Sequence, residues 1–432
     1  MSKLLKIEKI LLFLSILLLP TQLGKHFWPQ FSFVYSLPID YLSPTLYLWD
    51  ILVVALLIVF LILGKHINRT AINLFYFFIL TQSLSLLFLS DTQSIGIGLV
   101  RLEQYLIAGL FGVYIASSDL KRVIFWALSL SMIGESFLAI GQFIKKGDLG
   151  FWILGERSFT ISTPGIAKFD FYGRQFLRPY ATFPHPNVLA AFMVLAILII
   201  NSIMSLRGRS KTTDVAIFLK SRFPRSLRSL GMTTGFLAGI VTLLTVSRVA
   251  IVAGLMASMI LLRKKGRLLI LLALLSLLPI LYARFSSLLN FDNLTLIRRE
   301  QLSENAYNLW LKSPIFGVGL NNFIPAASGS LLVGVSRFLQ PAHNIILLAL
   351  SETGILGLLG FLLLIGFPAL SFLRKQESIK MNGSRIKSGM TICWLIIIFL
   401  GMFDHYFLTL PQGYRMFFLI WGLSFSSLGS KL

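Results

Sequence analysis

The side chains of this 432-residue chain that suit chemistry sit in a few polar stretches between long apolar runs. Arg248 lies in LLTVSRVAIVAGL. Arg298 and Arg299 stand near the start of RREQLSENAYNLWLKSP, and His343 lies in PAHNIILLALSETG. Arg178, His185 and Asn187 lead into a helix through LRPYATFPHPNVLAAF. Histidine titrates near neutral pH and can take a proton from a hydroxyl. Arginine's planar fork grips phosphate oxygens in pairs. A set of arginines with one well-placed histidine therefore suits a phosphate-bearing lipid and a proton transfer that needs no metal.

Each residue also has a plainer reading. Arg248, flanked by apolar sequence, can snorkel to lipid headgroups. Arg298 and Arg299 can belong to a solvated helix face. Pro341 and the apolar run after His343 put that histidine near a helix N-terminus, where it either meets an anion or serves as a cap. Arg101 and Glu103 are two residues apart on a helix and do not face each other. Both fall toward its outer end as candidate cavity residues, with Glu135 and Asp404 as weaker candidates of the same kind; no definite role is assigned to Glu103, Glu135, Glu352 or Asp404. Of these, Glu352 reads best as a structural residue at the helix end near Gly354.

Several chemistries lack their motifs. No G-x-x-x-x-G-K-[ST] phosphate loop is present, nor an H-E-x-x-H or Cys/His zinc pattern, a D-x-D pair or a G-x-S-x-G elbow. No metal and no cofactor are expected. The single cysteine, Cys393, excludes an intrachain disulfide.

The elements that must position these residues are membrane helices. The chain is 56% hydrophobic and only 13% charged, against about 25% charged in soluble domains. A spanning helix needs about 20 apolar residues. The expectation is an all-α polytopic membrane protein with about twelve transmembrane helices. They fall at about 8–24, 46–64, 70–90, 94–116, 123–143, 187–206, 231–246, 249–262, 268–284, 354–373, 390–404 and 415–429. The whole chain, 1–432, reads as one membrane domain, with an uncleaved first helix. The net charge of +22 does not argue for nucleic acid, because the basic residues occupy short loops between apolar helices. With both termini in the cytoplasm, 24 of the 39 lysines and arginines face inward, as the positive-inside rule asks. That count requires two helices meeting at Arg248 rather than one long one. Two long loops, 144–186 and 285–353, then face outward and are expected to contain short helices. The second is the expected catalytic loop. The basic segment 207–229 faces the cytoplasm, where anionic headgroups attract it.

Three stretches resemble the O-antigen ligase and polymerase superfamily. They are SRVA around Arg248, Arg299 followed fifteen residues later by Pro314 in R-x14-PIFGVGLNNF, and HNIILLALSETGILGLLG from His343. The detailed similarity covers about residues 178–365. The resemblance implies a membrane-embedded C-type glycosyltransferase of about twelve helices, in the inner membrane. Such an enzyme moves a glycan from an undecaprenyl-diphosphate carrier to a hydroxyl of a lipid or glycan acceptor on the outer face, without metal. Carried over by position, Arg248 and Arg299 hold the diphosphate and His343 activates the acceptor. Arg178, His185, Asn187, Arg101 and Arg298 are then candidates for the substrate cavity. A ligase is the leading reading, and a polymerase joining lipid-linked repeat units is the alternative within the family. A transporter of polyprenyl-linked glycans is the alternative of another class. It asks for internal inverted repeats, and none is seen.

Overall fold

The computed structural model describes residues 1–89, 91–206, 225–261, 294–330, 339–377 and 388–426 without interruption, with scattered positions between 266 and 337. Fourteen α-helices lie among the described residues. They are α1 (Ser2–Leu17), α2 (Leu48–Ile62), α3 (Arg69–Leu87), α4 (Thr92–Ser117), α5 (Lys121–Lys145), α6 (Pro186–Leu206), α7 (Arg225–Leu244), α8 (Arg248–Leu261), α9 (Leu294–Lys312), α10 (Phe323–Ala327), α11 (Ile345–Glu377), α12 (Ser388–Gly401), α13 (Tyr406–Thr409) and α14 (Pro411–Ser426). Five of them contain a stretch long and apolar enough to cross a membrane: Arg69–Leu87, Thr92–Ser117, Lys121–Lys145, Pro186–Met204 and Ile345–Pro368. Shorter apolar helices occur at Leu48–Ile62, Ser229–Leu244, Arg248–Ile260 and Gly389–Gly401. The expected span at 268–284 lies outside the described residues.

Two expectations change. The fold is mostly helical but not purely so: four two-stranded antiparallel hairpins decorate the loops. The loop expected at 144–186 holds no α-helix beyond the ends of α5 and α6. It contains a 3-10 turn at Trp152–Leu154 and a hairpin pairing Lys168–Phe171 with Arg174–Leu177. Its PYATF stretch is held by side chains instead of helix bonds. Gln142 accepts from the Tyr180 and Ala181 N–H groups at 2.9 and 2.7 Å. Glu135 accepts from the Thr182 N–H and hydroxyl at 3.1 and 2.8 Å.

Local sequence sets several helix starts. Asn68 and Asp91 cap α3 and α4 through the Ala71 and Ser94 N–H groups. Asn344 does the same for α11, its Oδ1 accepting from Ile346 and Leu347 at 2.9 and 3.1 Å. At Arg248 the chain makes the turn that the charge distribution requires. α7 ends at Leu244, Val246 takes φ +48, and α8 starts at Arg248. The helices pack around one extended core, with α14 against α4, α11 against α3, and α9 against α11.

The two motif stretches after Arg299 form one unit. α11 is broken at Gly354, whose φ of 63 and ψ of −165 are not helical. A break inside an apolar bundle frees backbone groups that lipid cannot satisfy. The PIFGVG turn satisfies them. Val318 and Gly319 N–H donate to the Ser351 and Glu352 carbonyls, both at 2.8 Å, and Ile355 N–H donates to the Pro314 carbonyl at 2.9 Å. The backbones approach so closely that a Cβ at Gly317 would run into Glu352, and one at Gly354 into Ile315. Both glycines also have positive φ, which a side chain resists.

Gly354→Ala and Gly317→Ala should each lower stability by about 1–3 kcal/mol or more, the usual cost of a strained backbone position with the clash added. Gly134→Ala, where an added Cβ meets nothing within 4 Å, should be neutral or slightly stabilising. Thermal unfolding in detergent reads all three. Equal melting temperatures for Gly354→Ala and Gly134→Ala would count against the paired break.

Candidate active site

Loops 18–47, 146–185, 245–247, 313–322, 339–344 and 402–410 gather at one end of the helices, tied by buried hydrogen bonds. Arg101, on α4, is 2% exposed. Its guanidinium donates to the Thr409 carbonyl at 2.8 Å, to Asn321 Oδ1 at 3.0 Å and to the Tyr41 carbonyl at 3.4 Å. Asn321 follows the PIFGVG turn and in turn donates to Tyr41 at 3.0 Å. Arg101, read from sequence as a cavity candidate, thus serves as a brace between three loops. Glu103, two residues on, is exposed on a different face of α4.

Arg178, at the close of the hairpin loop, donates through Nε to the Thr245 carbonyl at 2.6 Å, just before Arg248. It also donates to Asn187 Oδ1 at 2.7 Å. The same amide turns its Nδ2 to Asp404 Oδ2 at 3.3 Å. Asn187 N–H donates to His185 Nδ1 at 3.1 Å, which sets the proton of that imidazole on Nε2. Arg178, His185 and Asn187 are therefore one polar chain, ending on a carboxylate.

That carboxylate meets His343. The facing atoms of His343, Asp404 and His405 all lie within 4.8 Å of one another. The His343 and His405 rings are edge to face, with centroids 4.9 Å apart. Tyr41 lies against the other side of His405, at 5.6 Å. His405 Nδ1 bonds Thr409 Oγ1 at 2.6 Å. That hydroxyl spends its proton on the His405 carbonyl at 3.1 Å, so it accepts from Nδ1–H. We assign the His405 tautomer on this network. Its Nε2 then carries a lone pair, 3.9 Å from Asp404 Oδ1.

Electrostatics binds the group further. Burial lowers the pKa of His343, Asp404 counteracts this, and the Arg299 charge adds to the lowering. Burial would raise Asp404, but His343, His405, Arg299 and His185 together hold its carboxyl below the ordinary range. Burial and Arg178 bring His185 to about 3, and burial and His343 bring His405 to about 3. All three imidazoles are thus held toward the neutral, proton-accepting form, and a proton gained by any of them favours the ionised Asp404 carboxylate. Nδ1 of His343 is buried and makes no hydrogen bond of ordinary geometry, although the Pro341 carbonyl faces the ring.

Arg299 also acts electrostatically on Arg248. Arg299, on α9, thus acts on Arg248 at the start of α8 and on His343 and Asp404. Neighbouring positions on a helix point about 100° apart, so Arg298 and Arg299 leave α9 in different directions. Glu352 is buried, with its carboxylate toward the Asn321 and Phe323 backbone N–H groups, as the structural reading expects.

The partnership of two residues with His343 was missed by sequence. Asp404 and His405 stand in FDHYF between α12 and α13, far along the chain from His343. An acid–histidine pair at a helix end, on the side already assigned to His343, is the signal that was there to use. No metal set was expected either, yet the fold assembles two imidazoles and a carboxylate from separate segments.

Comparison with known proteins fits this geometry. Residues 233–362 match a family model described as O-antigen ligase, a range that contains Arg248, Arg299 and His343 but neither Arg178 nor Asp404. No curated protein matches the chain. The match of residues 233–362 to an O-antigen ligase domain supports the O-antigen ligase and polymerase superfamily.

Proposed function

We propose that the protein is a ligase that transfers a glycan from an undecaprenyl-diphosphate carrier to an acceptor hydroxyl. The observation that carries this reading is the convergence of Arg248, Arg299 and His343, with Asp404, at one end of an apolar helical bundle. The arginines suit the diphosphate. As the glycosidic bond to the carrier breaks, negative charge grows on the leaving group, and two fixed guanidinium groups stabilise it. The acceptor oxygen attacks the anomeric carbon from the opposite side, which inverts that centre. His343 takes the hydroxyl proton. Asp404 stabilises the imidazolium that results. The proton then returns to solvent or to the released diphosphate. This scheme asks no Lewis acid of the protein, because the arginines neutralise the leaving group.

In this reading the site faces outward from the inner membrane and both termini lie in the cytoplasm, in keeping with the distribution of lysine and arginine. The loops 144–186 and 285–353 are then the outer loops, and the second carries Arg299 and His343. Arg178, His185 and Asn187 shape the cavity wall by holding Asp404. Ligase and polymerase chemistry share every one of these parts and differ in the acceptor. Purified enzyme offered lipid-linked donor with either a lipid A core or a second lipid-linked repeat separates them: product on the core alone supports the ligase.

General acid–base groups contribute about 10²–10⁴-fold to rate. His343→Ala should lose at least about 100-fold in glycan transfer while donor binding is kept; wild-type turnover in that variant rules out the base. Arg248→Lys keeps the charge but loses the paired geometry. A charged hydrogen bond is worth about 1.5–3 kcal/mol, so donor affinity should fall by about tenfold or more, and unchanged affinity would show Arg248 to be a snorkelling residue. The pH profile tests Asp404. A base works deprotonated, so kcat/KM rises as pH passes its pKa. The wild-type limb should lie below 6.5, the ordinary histidine value from which burial lowers His343. Asp404 raises that pKa, so Asp404→Asn should move the limb to still lower pH and reduce kcat. A limb that stays in place would remove Asp404 from the mechanism.

A further inference from the structure

We infer that His343, Asp404 and His405 form a binding site for a divalent transition-metal ion of the zinc class, and that the ion inhibits transfer by occupying the base. The inhibition rests on the function proposed above, whereas the binding does not.

Two imidazoles and one carboxylate are a set that zinc accepts. The three ligand atoms lie within 4.8 Å of one another. Around a tetrahedral ion with bonds of about 2.0–2.2 Å, donor atoms stand about 3.4 Å apart, so side-chain rotation of under an ångström closes the set. Imidazoles sharing such an ion place their centroids about 5 Å apart; His343 and His405 stand at 4.9 Å.

Hydrogen bonding points the same way. Thr409 takes the Nδ1 proton of His405, which leaves the Nε2 lone pair toward Asp404 Oδ1 at 3.9 Å. Two electron-pair donors thus face one another with no proton between them. Asn187 bonds the other carboxylate oxygen, Oδ2, and the His405 backbone N–H donates to Oδ1 at 2.9 Å, which fixes the carboxylate while leaving Oδ1 a further lone pair. Such partners orient the ligands of a metal site. Thr409 is itself fixed, since Arg101 donates to its carbonyl at 2.8 Å. The charge of Arg299 acts against a cation here. Affinity should therefore be lower than at a closed structural zinc site.

An ion bound here uses the His343 lone pair that the acceptor proton needs. It leaves the arginines untouched, so the donor still binds but is not turned over.

Cobalt(II) absorption of the purified full-length protein in detergent tests the site directly. One saturable equivalent, displaced by zinc, is expected. Thr409→Val should weaken it by about 10–100-fold, the usual effect of removing a residue that orients a ligand, and His405→Phe should abolish it. No saturable uptake, or uptake unchanged in both variants, overturns the site. Should His405→Phe fail to fold, Thr409→Val decides. In the transfer assay, full activity in chelator and its loss on adding zinc support the inhibition. Activity that needs added metal overturns it. Cobalt uptake by a protein that transfers no glycan counts against the transfer reading and for the metal site.

Discussion

The backbone pairing between the PIFGVG turn and the break in α11 is the contact on which the rest depends. α9 delivers Arg299 and α11 begins just after His343; both are held in register by bonds from residues 314–319 to residues 351–355. Side chains cannot mediate this contact, because the backbones touch. That is why glycine stands on both sides of it, at Gly317 and Gly354. The spacing between Arg299 and Pro314 matters for the same reason: it sets where along α9 the arginine emerges.

A second layer of polar groups closes the loop end of the bundle. Buried polar groups in apolar surroundings are costly unless bonded, and here they bond across the loop end. Arg101 holds Tyr41, Asn321 and Thr409. Gln142 and Glu135 hold residues 180–182. Arg178 and Asn187 run from the Thr245 carbonyl to Asp404. His343 and Asp404 stand on loops, but these cross-links give the loops the rigidity of a scaffold. Within that frame, Asp404 offsets the charge of Arg299.

Much of this was legible in the sequence. Apolar runs and the placement of lysine and arginine gave the membrane class and the turn at Arg248. The hairpins were not legible, because strands of two to four residues carry no periodicity to read. Arg101 showed as a charge in an apolar helix, which marks an unusual residue without saying whether it meets a ligand or backbone carbonyls. Asp404 and His405 were visible as residues but had no partner, since nothing local relates FDHYF to PAHN.

The sequence by itself determined an apolar helical chain of the O-antigen ligase type, and the arginines and histidine that suit a lipid diphosphate and a hydroxyl proton. Such features follow from hydropathy, charge and short-range spacing, which are properties of neighbours along the chain. Only the tertiary structure decided that Asp404 and His405 face His343, that Arg101 serves as a brace, and that Glu352 sits beneath the paired glycines. Those outcomes depend on distant segments meeting in a low-dielectric interior, where each buried charge or amide must find a partner wherever the fold supplies one.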